Sequence, residues 1–249
     1  MKALILAAGY ATRLYPLTKD RAKPLLPVGD RPVIGHILER IEGLPDLEEI
    51  LVITNHKFAH QFEKWARTVS TSVPLTVLDD GSVSEEDRLG AIGDIRFAIQ
   101  KKKIQQDLLV IGGDNLFDFQ LAPFISFAKK KVPFCSVMLY DVKDFGLARQ
   151  YGIVSLDGQG KVAALEEKPA HPKSTLAGMA VYFFPTQILI FFEEYERLPH
   201  SKDAPGFYIK WLVETKGVYG YVANGIWYDI GDLASYEKAR EAFEKGVRS

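Results

Sequence analysis

The sequence predicts an α/β protein whose sheet is mostly parallel, and three observations predict it. Strand-like and helix-like segments alternate over the first 140 residues, the order that builds a sheet covered on both faces. The first apolar run, residues 2–7, stops at the small-residue turn Ala7-Ala8-Gly9 and feeds a basic, proline-punctuated loop. A second apolar run, residues 108–112, ends the same way, on Gly112-Gly113-Asp114.

Each element follows from local pattern. Residues 2–7 are a Leu- and Ile-rich strand. Val33, Ile37, Leu38 and Ile41 recur at helical spacing, predicting a helix over 33–44. Residues 49–54 form a second strand ending at Asn55, and 58–68 a helix with Phe62 and Trp65 on one face. A short strand at 75–78 precedes a helix over 89–102, whose terminal lysine run suits the negative end of a helix dipole. The strand at 108–112, a helix at 124–130 and a strand at 134–140 complete the first half. Beyond about Asp141 the rhythm changes. Residues 153–156 and 161–167 read as a hairpin around Asp157-Gly158-Gln159-Gly160. Strands at 178–184, 218–222 and 227–229 and helices at 186–197, 208–215 and 232–245 follow. No linker or internal repeat divides the chain. The expectation is one domain over 1–249, with a first half over 1–141 and an insertion and sheet extension over 142–249.

Composition narrows the class. The chain has 249 residues, enough for a full core, with 47% apolar and 25% charged residues, as in soluble globular proteins. A formal net charge of −1 argues against a nucleic-acid partner, because no basic excess exists to displace counterions. The lone Cys135 sits in an apolar stretch and reads as a small buried hydrophobe, so no internal disulfide is expected. Residues 3–8 are too short for a signal-peptide core or a membrane span, and a cytoplasmic protein is expected. None of the five histidines falls in a metal-ligand spacing; His56 and His60 are i, i+4 but lack a third partner.

Ligands of open parallel sheets bind beyond the carboxyl ends of the strands. The loop Ala8–Arg13 and Asp114 both fall there. Backbone N–H groups of a small-residue turn can surround phosphate oxygens, and Arg13 and Lys23 add charge that a neutral ligand would not need. The alternative is a surface loop with two solvated cations. Neither Gly-x-Gly-x-x-Gly nor Gly-x-x-x-x-Gly-Lys-Ser/Thr occurs, which disfavours hydride transfer and P-loop chemistry. Asp114 and Asp229, at two strand ends, are either turn and cap residues or a pair able to hold one Mg²⁺. Glu167-Lys168-Pro169 is uninformative alone.

As a set these segments resemble the sugar-1-phosphate nucleotidyltransferases, in particular the short glucose-1-phosphate thymidylyltransferase-like members. The likeness rests on Gly9, Thr12-Arg13-Leu14, Pro16, Thr18 and Lys23-Pro24, then Gly113-Asp114-Asn115, Tyr151-Gly152, Glu166-Glu167-Lys168-Pro169 and Trp227-Tyr228-Asp229-Ile230-Gly231, in that order. The resemblance implies a Rossmann-like three-layer nucleotidyltransferase fold with a mostly parallel mixed sheet and a sugar-binding insertion. It implies that Ala7, Ala8 and Gly9 contact the nucleotide, that Gly90 lies under the base, and that Arg13 and Lys23 bind phosphates. Gly152, Glu167 and Gly178 would face the sugar, Lys168 the sugar phosphate, and Asp114 and Asp229 would ligate Mg²⁺. The C-terminal β-helix domain of bifunctional acetyltransferase relatives is expected to be absent.

Two departures stand out. Tyr10 and Ala11 occupy positions where the family's turn usually has glycine. The glutamine that thymidylyltransferases use to read a pyrimidine is replaced by Asp79-Asp80-Gly81 and an acidic stretch. An ionised Asp80 could accept from thymine or uracil N3–H, from guanine, or from the cytosine amino group. The implied reaction is Mg²⁺-dependent attack of a sugar 1-phosphate on a nucleoside triphosphate, in EC class 2.7.7, with dTTP or UTP and glucose 1-phosphate favoured. Cytidylyl or guanylyl transfer to another phosphorylated acceptor, and a non-catalytic nucleotide-sugar-binding regulator, stay open, as does a homo-oligomeric assembly.

Overall fold

The computed structural model describes residues 1–199 and 204–246. Its strands are β1 (Lys2–Leu6), β2 (Pro27–Val28), β3 (Arg31–Pro32), β4 (Glu49–Thr54), β5 (Leu75–Asp79), β6 (Leu108–Gly112), β7 (Asn115–Phe117), β8 (Cys135–Asp141), β9 (Gly152–Leu156), β10 (Val162–Glu167), β11 (Leu176–Phe184), β12 (Val218–Ala223) and β13 (Trp227–Asp229). Its helices are α1 (Val33–Ile41), α2 (His56–Ala66), α3 (Gly90–Lys102), α4 (Ala122–Lys129), α5 (Phe145–Ala148), α6 (Phe191–Glu196), α7 (Pro205–Thr215) and α8 (Leu233–Gly246).

One nine-stranded sheet runs through both halves of the chain. Its path is β10-β9-β11-β6-β1-β4-β5, with β8 joined to β11 and β12 to β8. β6, β1, β4 and β5 are parallel, whereas β11 runs antiparallel to β6 and β8. Side chains on β1 and β4 alternate between two cores. Ala3, Ile5, Ile50 and Val52 pack with Ile37, Ile41, Phe58 and Phe62 of α1 and α2. Leu4, Leu51 and Ile53 pack on the opposite face with Ile92 and Ile95 of α3. Continuous apolar strands are what such a doubly covered sheet requires.

Most element ends fall within a few residues of the expectation, and the exceptions have local causes. α2 starts at His56 because the Asn55 side chain caps it, accepting from Phe58 N at 3.1 Å. α7 starts at Pro205, a residue suited to the first helical turn. The helix expected over 186–197 is divided into a 3₁₀ turn, Thr186–Ile188, and α6. The sequence reading lacked β7, which pairs with β13 in a separate two-stranded ladder, and α5, capped by Asp144. Cys135 is fully buried, as expected. His200 lies outside the described residues. Among these no helix is long and apolar enough to cross a membrane.

Candidate active site

The site begins where β1 and β6 end side by side. Leu6 pairs with Gly112, and Gly113 N donates to Leu6 O at 2.8 Å. A Cβ on Gly113 would stand 2.6 Å from that carbonyl, and one on Gly112 would meet Asn115 Nδ2 at 2.7 Å. Only glycines let the turn lie this close to β1, and that closeness aims Asp114 off the sheet edge.

The β7–β13 ladder supplies the second carboxylate. Asp229 pairs with Asn115, and Ile230 N donates to Asp114 O at 3.0 Å. Trp227 Nε1 donates to Asn115 Oδ1 at 2.8 Å, and Asn115 Nδ2 donates to Gly112 O, locking ladder to turn. Two acidic residues 115 positions apart are thereby brought together. Burial pushes the Asp229 carboxyl up to about 7; the Asp114 charge adds to the rise, and Lys23, Arg13 and Lys168 oppose it. All five groups act in one electrostatic field.

Lys23 comes from a 3₁₀ turn, Lys23–Leu25, that ends the basic loop. Its Nζ donates to Asp114 Oδ2 at 2.8 Å and to Ile230 O at 2.9 Å, tying the loop to both carboxylate-bearing segments. A cavity of about 670 Å³ opens beside it, well within the size range of ligand sites. Arg13, Lys23, Asp114 and Asp229 line one part of it, and Gly152, Glu167, Lys168 and Gly178 another. Near Glu167, Oε2 lies 2.9 Å from where a Cβ on Gly152 would stand and 2.8 Å from the same point on Gly206. Two side-chain-free positions therefore make room for this carboxylate. Lys168 has a left-handed backbone (φ 46°), and its N–H donates to Tyr151 O at 3.0 Å.

Ala7, Ala8, Gly9, Asp80 and Gly90 are not among the residues that line this cavity. Ala7 and Ala8 are buried at the end of β1, and Gly9 is exposed. Ala7 N donates to Ile53 O and Ala8 O accepts from Asn55 Nδ2. Gly90 opens α3 with φ +73°. Asp80 is 9% exposed; its Oδ1 accepts from Ser82 N and Ser82 Oγ, both at 2.7 Å. Tyr10 is buried, and its hydroxyl donates to Ser82 O at 3.2 Å. Ala11 adopts a left-handed conformation (φ 51°), a strain of about 1 kcal/mol that glycine would avoid.

Two lining residues escaped the sequence reading: Arg149, a fourth cation from the end of α5, and Gly206; Asn115, Tyr151 and Trp227, named there in motifs but given no role, also line the walls. Gly206 sits in the first turn of α7, and nothing local in the sequence marks it as a neighbour of Glu167.

A divalent ion suits Asp114 and Asp229. Both offer hard oxygen donors, and Mg²⁺ is commonly held by one or two carboxylates with the rest of its shell left to water and substrate phosphates. Among the described residues no group of three or more His, Cys, Asp or Glu side chains could hold a metal.

The model of the nucleotidyl transferase family matches residues 2–246. This chain belongs to that family. Similar proteins include the bifunctional protein GlmU of Methanocaldococcus jannaschii, 30% identical over 93% of this chain and 51% of that protein. The UTP–glucose-1-phosphate uridylyltransferase of Synechocystis is 29% identical, covering 96% of this chain and 62% of that one. The glucose-1-phosphate thymidylyltransferase of Streptomyces griseus is 30% identical over 94% and 63%. The chain thus spans about half the length of the GlmU proteins it matches. A UDP-glucose pyrophosphorylase solved with UDP-glucose shares the fold, with a TM-score of 0.83, 21% identity and 98% of each chain covered.

Proposed function

We propose that this nucleotidyl transferase joins a nucleoside triphosphate to a sugar 1-phosphate, forming a nucleoside-diphosphate sugar and pyrophosphate. The observation that carries the reading is the meeting of Asp114, Asp229 and Lys23 in a cavity that also holds Glu167 and Lys168. The relatives named as uridylyl- and thymidylyltransferases support a pyrimidine nucleotide and glucose 1-phosphate.

The inventory suits this chemistry. A phosphate monoester loses its second proton near pH 6, so the attacking oxygen is already ionised at neutral pH and needs no general base. The enzyme's work is to hold two anions in line and to neutralise charge on the α-phosphate and leaving group. Arg13 and Lys23 would bind the triphosphate, with Ala7, Ala8 and Gly9 contacting the nucleotide and Gly90 beneath the base. Lys168 would draw in the sugar phosphate against the repulsion of the triphosphate. Glu167 would accept from sugar hydroxyls, with Gly152 and Gly178 admitting the ring. A Mg²⁺ ion held by Asp114 and Asp229 would supply Lewis-acid stabilisation of the phosphate oxygens when bound. We place the reaction in the cytoplasm, within a single domain over 1–249.

A matrix of nucleoside triphosphates against sugar 1-phosphates, followed by pyrophosphate release with and without Mg²⁺, tests the reading. Pyrophosphate that appears only when both substrates and Mg²⁺ are present is the expected result. Tight nucleotide-sugar binding with no release from any pair would instead make the chain a binding protein.

A further inference from the structure

We propose that Tyr10, acting through Ser82, fixes the loop on the base side of the nucleotide to the loop that holds its phosphates, and that Asp80 positions this same junction instead of reading the base. The inference rests on the reading above, in which the triphosphate lies against the loop after β1.

Ser82 is a buried junction, 4% exposed, between two loops. Its carbonyl accepts from Tyr10 Oη at 3.2 Å and from His56 N at 2.9 Å. Its N–H and hydroxyl both donate to Asp80 Oδ1. The segment beyond it, residues 83–88, is largely exposed, and its turn is closed locally by Asp87, which accepts from Val83 N and Ser84 N. The chain enters this segment from Ser82 and leaves it into α3 at Gly90. Tyr10 connects this junction to the turn at Ala8–Ala11, itself held by Asn55 through Ala8 O and by Thr18 through Ala11 O. A relative with glycine at position 10 has no side chain with which to make the connection.

Asp80 has no oxygen to offer a base. Oδ1 is committed to Ser82, and Oδ2 is sealed from solvent. Asp94 of α3, 5% exposed, is the buried acidic neighbour of Asp80, and its Oδ1 is likewise sealed from solvent without a hydrogen-bond partner. Asp80 thus braces Ser82 from one side through Oδ1, as Tyr10 braces it from the phosphate side.

Titration calorimetry of the full chain with UTP, dTTP, CTP, GTP and ATP tests the proposal without requiring turnover. Tyr10→Phe removes one hydroxyl from a buried bond and should weaken the best-bound triphosphate about fivefold. The ranking of the five bases should not change, and KM for the triphosphate should rise more than kcat falls. Asp80→Ala should weaken binding comparably, whereas Asp80→Asn keeps an oxygen for Ser82 and should recover most of the loss. Melting curves of each variant separate weakened binding from lost folding. Identical triphosphate affinity in wild type and Tyr10→Phe overturns the proposal. So does a changed base ranking in Asp80→Asn, which would assign Asp80 to the base. A wild type that binds triphosphates but releases no pyrophosphate with any sugar 1-phosphate refutes the proposed reaction while leaving the affinities to judge this inference. A wild type that binds none of the five refutes both.

Discussion

Lys23 Nζ lies 2.8 Å from Asp114 Oδ2 and 2.9 Å from the carbonyl of Ile230, the residue after Asp229. A cation from the first loop of the chain therefore holds the turn after β6 against the strand that delivers the second carboxylate. The pair is partly buried, with side-chain exposures of 16% for Lys23 and 32% for Asp114. Its ends come from segments 91 residues apart. Removing either partner alters both the geometry of the site and its charge.

Asp114→Asn keeps the size of the side chain but removes the negative charge that pairs with Lys23 and would hold the divalent ion. Pyrophosphate release should fall by about 10²–10³-fold, the range typical of a lost electrostatic group in a preorganised site. The melting temperature should stay within a few degrees of wild type, since one partly exposed ion pair contributes little stability. Near-normal release under saturating Mg²⁺ would remove Asp114 from the mechanism.

Arg13→Ala should cost most of the activity with every nucleoside triphosphate alike, because the proposed partner of Arg13 is phosphate. The measurement is kcat/KM for each base in turn. A defect confined to one base would contradict a phosphate role.

Gly113→Ala should destabilise the protein by about 1–3 kcal/mol, the usual range for forced overpacking. The new Cβ would stand 2.6 Å from the carbonyl of Leu6, which is held in the sheet and cannot yield cheaply. Urea denaturation gives the stability, and pyrophosphate release should fall as well because the same turn aims Asp114. Full stability in this variant would mean that β1 and β6 part without cost.

Asp94→Asn should change how stability depends on pH. Burial, and then the neighbouring Asp80, push the Asp94 carboxyl from 3.8 up to about 8. A carboxyl whose folded pKa is raised favours the folded state while it is protonated. That contribution is complete below about pH 4 and is lost as pH rises through about 8. The asparagine variant has no such loss, so its stability relative to wild type should rise by about 4 kcal/mol between pH 5 and pH 8. Denaturant midpoints at pH 5 and pH 8.5 measure the difference; an equal gap at both would show that Asp94 ionises freely in the folded protein.

Residues whose placement depends on local pattern were legible in the chain. The apolar run before Gly112-Gly113 announced a buried strand ending on Asp114, and the run before Ala7-Ala8-Gly9 did the same for β1. The family motifs then named Lys23, Lys168 and Asp229 with their expected roles. Gly206, Arg149 and the inward turn of Asp80 had no such signal. Gly206 matters because α7 passes over Glu167, and Asp80 turns inward because Ser82 takes up its Oδ1. The first contact joins elements distant in sequence and the second depends on a single loop conformation, so neither leaves a periodicity to read. β7, the partner of the expected strand at 227–229, was hidden because three residues are too few to show alternation.

By itself, then, the amino-acid order determined the main strands of the sheet, the chemical types gathered at their ends and the kind of ligand those types suit. That much follows from hydrophobic periodicity and from the charge and hydrogen-bonding capacity of single side chains, which act over a few residues. Tertiary structure decided which carboxylates share a field. Asp114 and Asp229 came to act on each other, as did Asp80 and Asp94, because strand register and loop closure bring their segments into one field. Burial then determines which of those groups a substrate can reach.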